Sequence, residues 1–537
     1  MTTNDPGPEP EYLGADTSTG ATTPGGTPLR GRGRRTGLVA AAAVAVVAAV
    51  GAGAYGVVQL MAGGSSPATA VPADAVGYVS LDLDPSASQK IEAFKILRKF
   101  PALKKELGLG DGDDLRRTVF EEIVKSGDCS DLDYARDVEP WIGDRVAMAA
   151  VPDSEQGALP LVVLQVTDQD KAKAGFRKIE SCDGPTDQEP SRTGLAFRGD
   201  YMLVAETQQE ADGIATDVDA ATLADSEDFT TATGRTGDPG IVTMYASQDA
   251  PDAVMTAMRH DAGGSVDQGR IDQLGKSFAS FQGAAGVLRF SDGAVEAEFS
   301  AKGLPEGAGG SAAQGGPDVS TLPGTTAAVL SVALRDGWLD SFTEGLRSSL
   351  GGDYDQMLAQ GERATGLQLP EDIETLLGDG VSLSVDAGTD LKALTESPDP
   401  SKVPAGLRIQ GDPAKITPII DKLKAAAGPS GDLVKVASGD GVVAVGLDQA
   451  YVSQLLTQGT LGGVAAFEDV VPEPDRANAV VFVNFDAGRG WAEQLADLVS
   501  DGDPEVKQNV APLDALGISG WTDGDDVQHG LVRLSTD

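Results

Sequence analysis

Asp137-Val-Glu-Pro-Trp-Ile-Gly-Asp144 returns without a gap as Asp372-Ile-Glu-Thr-Leu-Leu-Gly-Asp379, each apolar position meeting an apolar one. Outward from this pair, further segments match in the same order. Asp168 to Ile179 (DQDKAKAGFRKI) lies on Asp412 to Leu423 (DPAKITPIIDKL), setting Lys171 on Lys415 and Phe176 on Ile420. Arg198-Gly199-Asp200 lies on Ser438-Gly439-Asp440, and Phe229 on Phe467. Residues 241–245 match 479–483, and Ser291-Asp292-Gly293 meets Thr522-Asp523-Gly524. Offsets that drift only between 231 and 244 over so long a stretch mark an internal duplication. Two related halves follow, residues 71–302 and 322–537, and the Gly, Ser and Pro stretch 303–321 between them has linker composition.

Within a half, residues 76–83 (VGYVSLDL) alternate as a half-buried strand should, with 326–334 as the counterpart. A helix then carries Ile91, Phe94, Leu97, Leu103 and Leu107 on one side, with Pro101 interrupting it. Residues 137–142 read as a short helix closing on Gly143, and 146–151 with 159–166 as a strand pair. Asp168 sits where an N-cap belongs, and Asp412-Pro413 repeats the device with proline at the first helical position. Strands 194–198 and 201–206 flank one tight turn, and 286–290 and 295–299 flank Ser-Asp-Gly, a hairpin signal. Antiparallel hairpins interleaved with helices predict an α+β fold: two related halves, each a mainly antiparallel sheet with helices on one face.

Residues 1–36 are too poor in large apolar side chains to offset chain entropy, and are expected to form a disordered cytoplasmic tail. Residues 38–58 contain 21 positions without a charge, and a helix of that length covers a hydrocarbon core of ~30 Å. A single transmembrane helix is therefore expected within 37–62. Arg30, Arg32, Arg34 and Arg35 precede it, and no Lys or Arg follows until Lys90. The positive-inside rule then places the N-terminus in the cytoplasm and the body outside a cell membrane crossed once. A cleaved signal peptide ending at Ala68-Thr69-Ala70 ranks second, because the apolar run exceeds the ~7–15 residues usual for such a segment.

The 537 residues carry 82 acidic against 41 basic side chains, a net charge of −41. Tail and apolar segment hold four of each sign, so the whole imbalance belongs to the body. No nucleic-acid partner is expected of such a surface, since phosphate affinity comes from clustered Lys and Arg. It is soluble and could hold divalent cations only diffusely.

His260 and His529 are the only histidines, which excludes a multi-histidine zinc site; no G-x-S-x-G elbow supports a Ser-His-acid triad. Gly275-Lys276-Ser277 lacks the glycine that a phosphate loop needs, Arg270 standing there, and Ile271, Leu274, Phe278 and Phe281 space as a packed helix face. Arg198-Gly199-Asp200 reads as a hairpin turn rather than an adhesion motif, because its partner keeps glycine and aspartate but loses arginine. Clusters at Asp111, Asp113 and Asp114, at Asp128, Asp131 and Asp133, and at Asp523, Asp525 and Asp526 do not complete a calcium loop: Leu115, Leu132 and Val527 fall where oxygens are needed. No catalytic, cofactor-binding or metal-ligating residue is assigned, and no cofactor is expected. Cys129 and Cys182, the only cysteines, are expected to form a disulfide worth roughly 3–4 kcal/mol, with two free buried thiols as the alternative.

In its Arg-rich tail, its apolar segment, the Pro-Ala-Asp-Ala-Val-Gly-Tyr-Val stretch from Pro72, its Gly-Asp turns at Gly143 and Gly378, and its duplicated halves, the chain resembles an uncharacterised, mostly actinobacterial family catalogued as domain of unknown function 3352. The resemblance implies a membrane-anchored exported protein and supplies no activity or catalytic residues. The expected function is a non-catalytic binding, scaffold or sensor component of the cell envelope, meeting the membrane through one span and an envelope protein or glycan in a groove between the halves. The alternative is a carboxylate-dependent hydrolase acting on envelope polysaccharide, which needs two facing acids ~5–10 Å apart with aromatic walls.

Overall fold

The computed structural model describes residues 66–82, 87–100, 117, 132–180, 193–261, 268–304, 318–334, 338–391, 403–488, 490–500 and 503–537. Sixteen strands form: β1 (Gly77–Asp82), β2 (Ile142–Asp153), β3 (Gly157–Val166), β4 (Gly194–Arg198), β5 (Tyr201–Ala205), β6 (Val242–Ala246), β7 (Gly283–Ser291), β8 (Ala294–Lys302), β9 (Thr326–Ala333), β10 (Gly380–Asp386), β11 (Ala405–Gln410), β12 (Lys435–Gly439), β13 (Val442–Gly446), β14 (Ala479–Asn484), β15 (Leu513–Thr522) and β16 (Val527–Thr536).

All sixteen belong to one sheet, in the order β12-β13-β11-β10-β9-β14-β15-β16-β8-β7-β6-β1-β2-β3-β5-β4. Every neighbouring pair is antiparallel. Read inward from either edge, the first eight strands and the second eight follow the same order. They meet where β8 pairs with β16, Glu298 lying opposite Leu531.

The expectation of two sheets is thereby corrected. The last strand of each half offers an unpaired row of amides and carbonyls, and each row satisfies the other. Among the described residues the halves join edge to edge rather than across a groove. The expected span at 37–62 lies outside the described residues, as does the tail. Among the described residues no helix is long and apolar enough to cross a membrane, so the expected membrane-spanning helix finds no support there.

Helices also cover both faces of the sheet, not one. On the face that carries Tyr78, here the tyrosine face, Phe229 of helix Glu227–Gly234 meets Tyr78 and Tyr245 edge to face at 5.5 and 5.2 Å. In the second half Phe467 of helix Ala465–Val470 meets Phe482 the same way at 5.1 Å. On the opposite face, helix Gln169–Glu180 packs Ala172 toward Val166, Met202 and Val204, and helix Pro413–Ala426 packs Ile416 and Ile420 on Ile409 and Val443. The clue in the sequence was Tyr201-Met-Leu-Val-Ala205: all five side chains are buried, the continuous apolar run of a strand covered on both faces.

The aromatic pairs also correct the alignment of the halves. Tyr245 corresponds to Phe482, not to Val483, because a slip of one residue would turn every side chain of the strand to the other face. The hairpins agree: the closing pair Arg198 and Tyr201 corresponds to Gly439 and Val442, so Gly199 aligns with Asp440 and the left-handed glycine of the second turn is Gly441. Matching identities misplaces such positions by one. Strand parity decides them.

The helix caps form where the sequence puts them. Asp168 accepts from the Lys171 amide at 3.0 Å, and Asp412 from the Ala414 amide at 2.9 Å with Pro413 in the first turn. The helix read at 137–142 instead occupies Tyr134–Asp137, since Asp133 caps it by accepting from the Arg136 amide, and β2 already begins at Ile142. In helix Ala87–Arg98, Ala93 and Ile96 are buried while Ile91 faces solvent, contrary to the spacing argument.

Candidate binding surface

The joint between the halves is polar on the tyrosine face. Glu296, 3% exposed, accepts from Arg289 of β7 and, at 2.6 Å, from Arg533 of β16; Arg289 also reaches Glu298 at 2.5 Å. One carboxylate thus ties both halves together. The equivalent place across the local twofold is different: Trp521 corresponds to Arg289 and His529 to Glu296. These two rings stack at 5.1 Å, with Arg476 over the indole and Asp523 Oδ2 3.2 Å from His529 Nε2.

Burial works to raise the Asp523 carboxyl. Amides of Asp525 and Val527 and the His529 ring, all bonded to it, prevail and hold it below the usual carboxylate range. The Asp523, Asp525 and Asp526 cluster is therefore a turn that binds its own backbone. Ser300 lies opposite His529, yet its hydroxyl is buried and turned to the Ala232 carbonyl at 3.4 Å, so no exposed nucleophile completes a triad.

The face opposite the tyrosines, here the leucine face, carries the most unusual surface. Leu383, Leu330, Val481, Ile518 and Val532 stand directly across from one another on β10, β9, β14, β15 and β16. Strand spacing makes this row about 19 Å long. Leu383, Leu330 and Ile518 are 47%, 50% and 40% exposed. Helix Trp491–Ser500 closes one side by packing Trp491 near Ala328 and Val385, and Leu376 with the Ile409 cluster closes the other at Val381.

At the equivalent positions of the first half stand Met148, Val79 and Gly286, none of them exposed. There, helix Ala87–Arg98 packs on Leu288, Phe290 and Val295. The second half offers Gly520, Thr522 and Gln528 in their places, which give a helix nothing apolar to bury against. A Cβ added at Gly530, in the middle of this region, would meet nothing within 4 Å.

Acid pairs fare less well as a site. Among the described residues, Asp486, Asp514 and Asp537 bring carboxylate oxygens within 4.8 Å of one another at the sheet end, close enough to share a cation. Burial, then the hydrogen-bonded and repelling Asp537 and the nearby Asp514, push the Asp486 carboxyl up. A cavity of about 210 Å³ between helices Ala250–Asp261 and Gln268–Ser277 is lined by apolar residues alone, among them Met255, Leu274, Phe278 and Phe281. A wider cleft of about 660 Å³ holds Glu92 and Asp292 together with Lys95, Arg98 and Lys99.

Of the residues singled out in the sequence, Cys129, Cys182, Asp111, Asp113, Asp114, Asp128 and Asp131 lie outside the described residues. Lys276 and Ser277 end a helix whose Ile271 is buried, as packing requires. Arg198 turns away from any ligand: its guanidinium binds the Ala215 carbonyl at 3.0 Å and Asp219 at 2.7 Å. Sequence reasoning missed the exposed row, although Ala327-Ala-Val-Leu-Ser-Val332 is apolar at both parities and so announces a strand with two faces to cover.

The fold and this surface define a class: one long open antiparallel sheet with helices on both faces and, among the described residues, an apolar stretch left exposed on one of them. The chain belongs to the family described as protein of unknown function (DUF3352), whose family model matches residues 39–407, from the apolar segment through the first half to the start of β11. No curated protein and no solved structure matches the chain.

Proposed function

We propose that the protein is a non-catalytic binding or scaffold component of the cell envelope, and that the apolar row Leu383, Leu330, Val481, Ile518 and Val532 is where it takes its partner. One observation carries this reading. Three large aliphatic side chains in lateral register are 40–50% exposed, whereas the equivalent positions of the first half are not exposed. Contiguous apolar patches of this kind mark interaction surfaces. The row is aliphatic and holds no aromatic side chain on which a sugar ring could stack, which favours a protein partner over a glycan. The position outside the cytoplasm rests on the order of arginines and apolar residues at 30–58 in the sequence.

Carboxylate-dependent hydrolysis ranks second. Glu92 and Asp292 share their cleft with three cations, and Lys95 occupies Glu92 Oε1 at 2.6 Å, so the pair does not face an open substrate space as two bare acids. Crosslinking in intact cells followed by pull-down, with wild type compared against a Leu330→Lys, Leu383→Lys, Ile518→Lys variant, tests the reading. The expected result is an envelope protein recovered with wild type and lost with the variant. Recovery of no partner above background, together with turnover of a defined glycan by the purified protein, reverses the ranking.

A further inference from the structure

The two edges of the sheet are equivalent strands with opposite treatment. At one edge, β4 closes on β5 through a two-residue turn, so Arg198, Ala196 and Gly194 bond inward while Leu195 and Phe197 present amide and carbonyl to the outside. Three of those four groups are covered. The Gln208 side chain accepts from the Leu195 amide at 3.2 Å and donates to the Leu195 carbonyl at 3.0 Å, and Arg198 donates to the Phe197 carbonyl at 2.7 Å. A partner strand finds this edge occupied.

At the other edge, β12 repeats the arrangement against β13 and turns Val436 and Ser438 outward. Its equivalent of Gln208 is Gln449, likewise the first residue of the following helix, Gln449–Leu455. Gln449 is exposed and makes no side-chain hydrogen bond among the described residues, and the place of Arg198 is taken by Gly439. Among the described residues Val436 and Ser438 therefore keep free amides and carbonyls on a five-residue edge strand that is exposed at Ser438 and Gly439. Natural sheets normally blunt such an edge.

We infer that β12 is a self-association edge, at which two copies of this chain pair antiparallel about a twofold axis through Ala437. Three observations select a second copy. Centred on Ala437, the register sets Val436 opposite Ser438 of the other copy, so the four outward groups of each strand meet partners. It also sets Lys435 opposite Gly439 of the other copy, beside Asp440, so opposite charges meet on both sides of the axis. The molecule already uses this operation once, where β8 and β16 join its halves antiparallel about a local twofold. Because β4 is blocked at three of its four outward groups, one open edge stands among the described residues, and association closes at two copies rather than running on into a filament. The charge of −41 on each copy opposes pairing at long range, and salt screens that repulsion beyond about 8 Å.

Cysteine crosslinking in the full-length chain tests the pairing. Ala437 would face its own copy as a non-hydrogen-bonded pair with Cα atoms about 4.5 Å apart, within reach of a disulfide. Its equivalent at the sealed edge, Ala196, is the control. Under mild oxidation Ala437→Cys should give a covalent dimer that Ala196→Cys and the unmodified chain do not, and adding Ser438→Pro should remove it. Light scattering on the unmodified chain should show monomer and dimer, with the association constant rising at least about tenfold between low and physiological salt. Equal crosslinking at 437 and 196, or a monomer at every concentration and salt, overturns the proposal. Neither result depends on the apolar row.

Discussion

The two halves share a strand order and differ in what they leave uncovered. On the leucine face, the first half gives helix Ala87–Arg98 a bed of Leu288, Phe290 and Val295, whereas the second half places Gly520, Thr522 and Gln528 there and leaves Leu330, Leu383 and Ile518 open. At the joint, the first half supplies an Arg–Glu ladder and the second a Trp–His stack. At the rim, Gln208 seals one edge and Gln449 leaves the other bare. The lesson is that a duplicated fold keeps its backbone pairing while its side chains diverge: one half covers its apolar face and its edge with its own side chains, and the other leaves both open.

That contrast can be broken first at the joint. Glu296→Ala leaves Arg533 without its carboxylate in a mostly buried place and should cost about 3–5 kcal/mol in denaturant unfolding. His529→Ala, at the equivalent position, loses one hydrogen bond and the stack on Trp521 and should cost about 2 kcal/mol. Equal costs would mean that the ion ladder does not hold the halves together.

Smaller in energy is the edge. Gln208→Ala removes both bonds to Leu195 and should lower stability by about 1–2 kcal/mol while giving β4 a tendency to associate that Gln449→Ala does not add to β12. Sedimentation of both variants decides this. Smaller still is the row: Leu330→Lys with Leu383→Lys should shift unfolding by no more than about 1 kcal/mol, because the side chains are already half in water, yet abolish partner recovery.

The least effect comes from the acid trio. The Asp486 carboxyl is raised in the folded protein, so the repulsion sets in as pH climbs through that raised value and is absent below the ordinary carboxylate range. Asp486→Asn should therefore raise Tm at neutral pH and leave it unchanged in acid. A gain that persists in acid would remove charge repulsion as its cause.

Much of this was legible in the sequence. The hairpin turns, the caps at Asp168 and Asp412, and the aligned segments all fall at equivalent places in the strand order. What escaped was long-range. Alternation in β8 and β16 states that each is a strand but not that Glu298 lies opposite Leu531, some 230 residues away, so one sheet was read as two. Helices were assigned to one face although Tyr201 to Ala205 is apolar at every position, a pattern that only cover on both faces explains. Exposure of Leu330 and Leu383 was invisible for a related reason: their own strands look like core, and the missing cover is a property of Gly520, Thr522 and Gln528 on other strands.

A photoreactive side chain placed at Leu383, and separately at its first-half equivalent Met148, measures the contrast in living cells. Partner binding by the open half predicts a defined protein adduct from position 383 and none from 148. Adducts of equal yield from both positions, or none from 383, would contradict it.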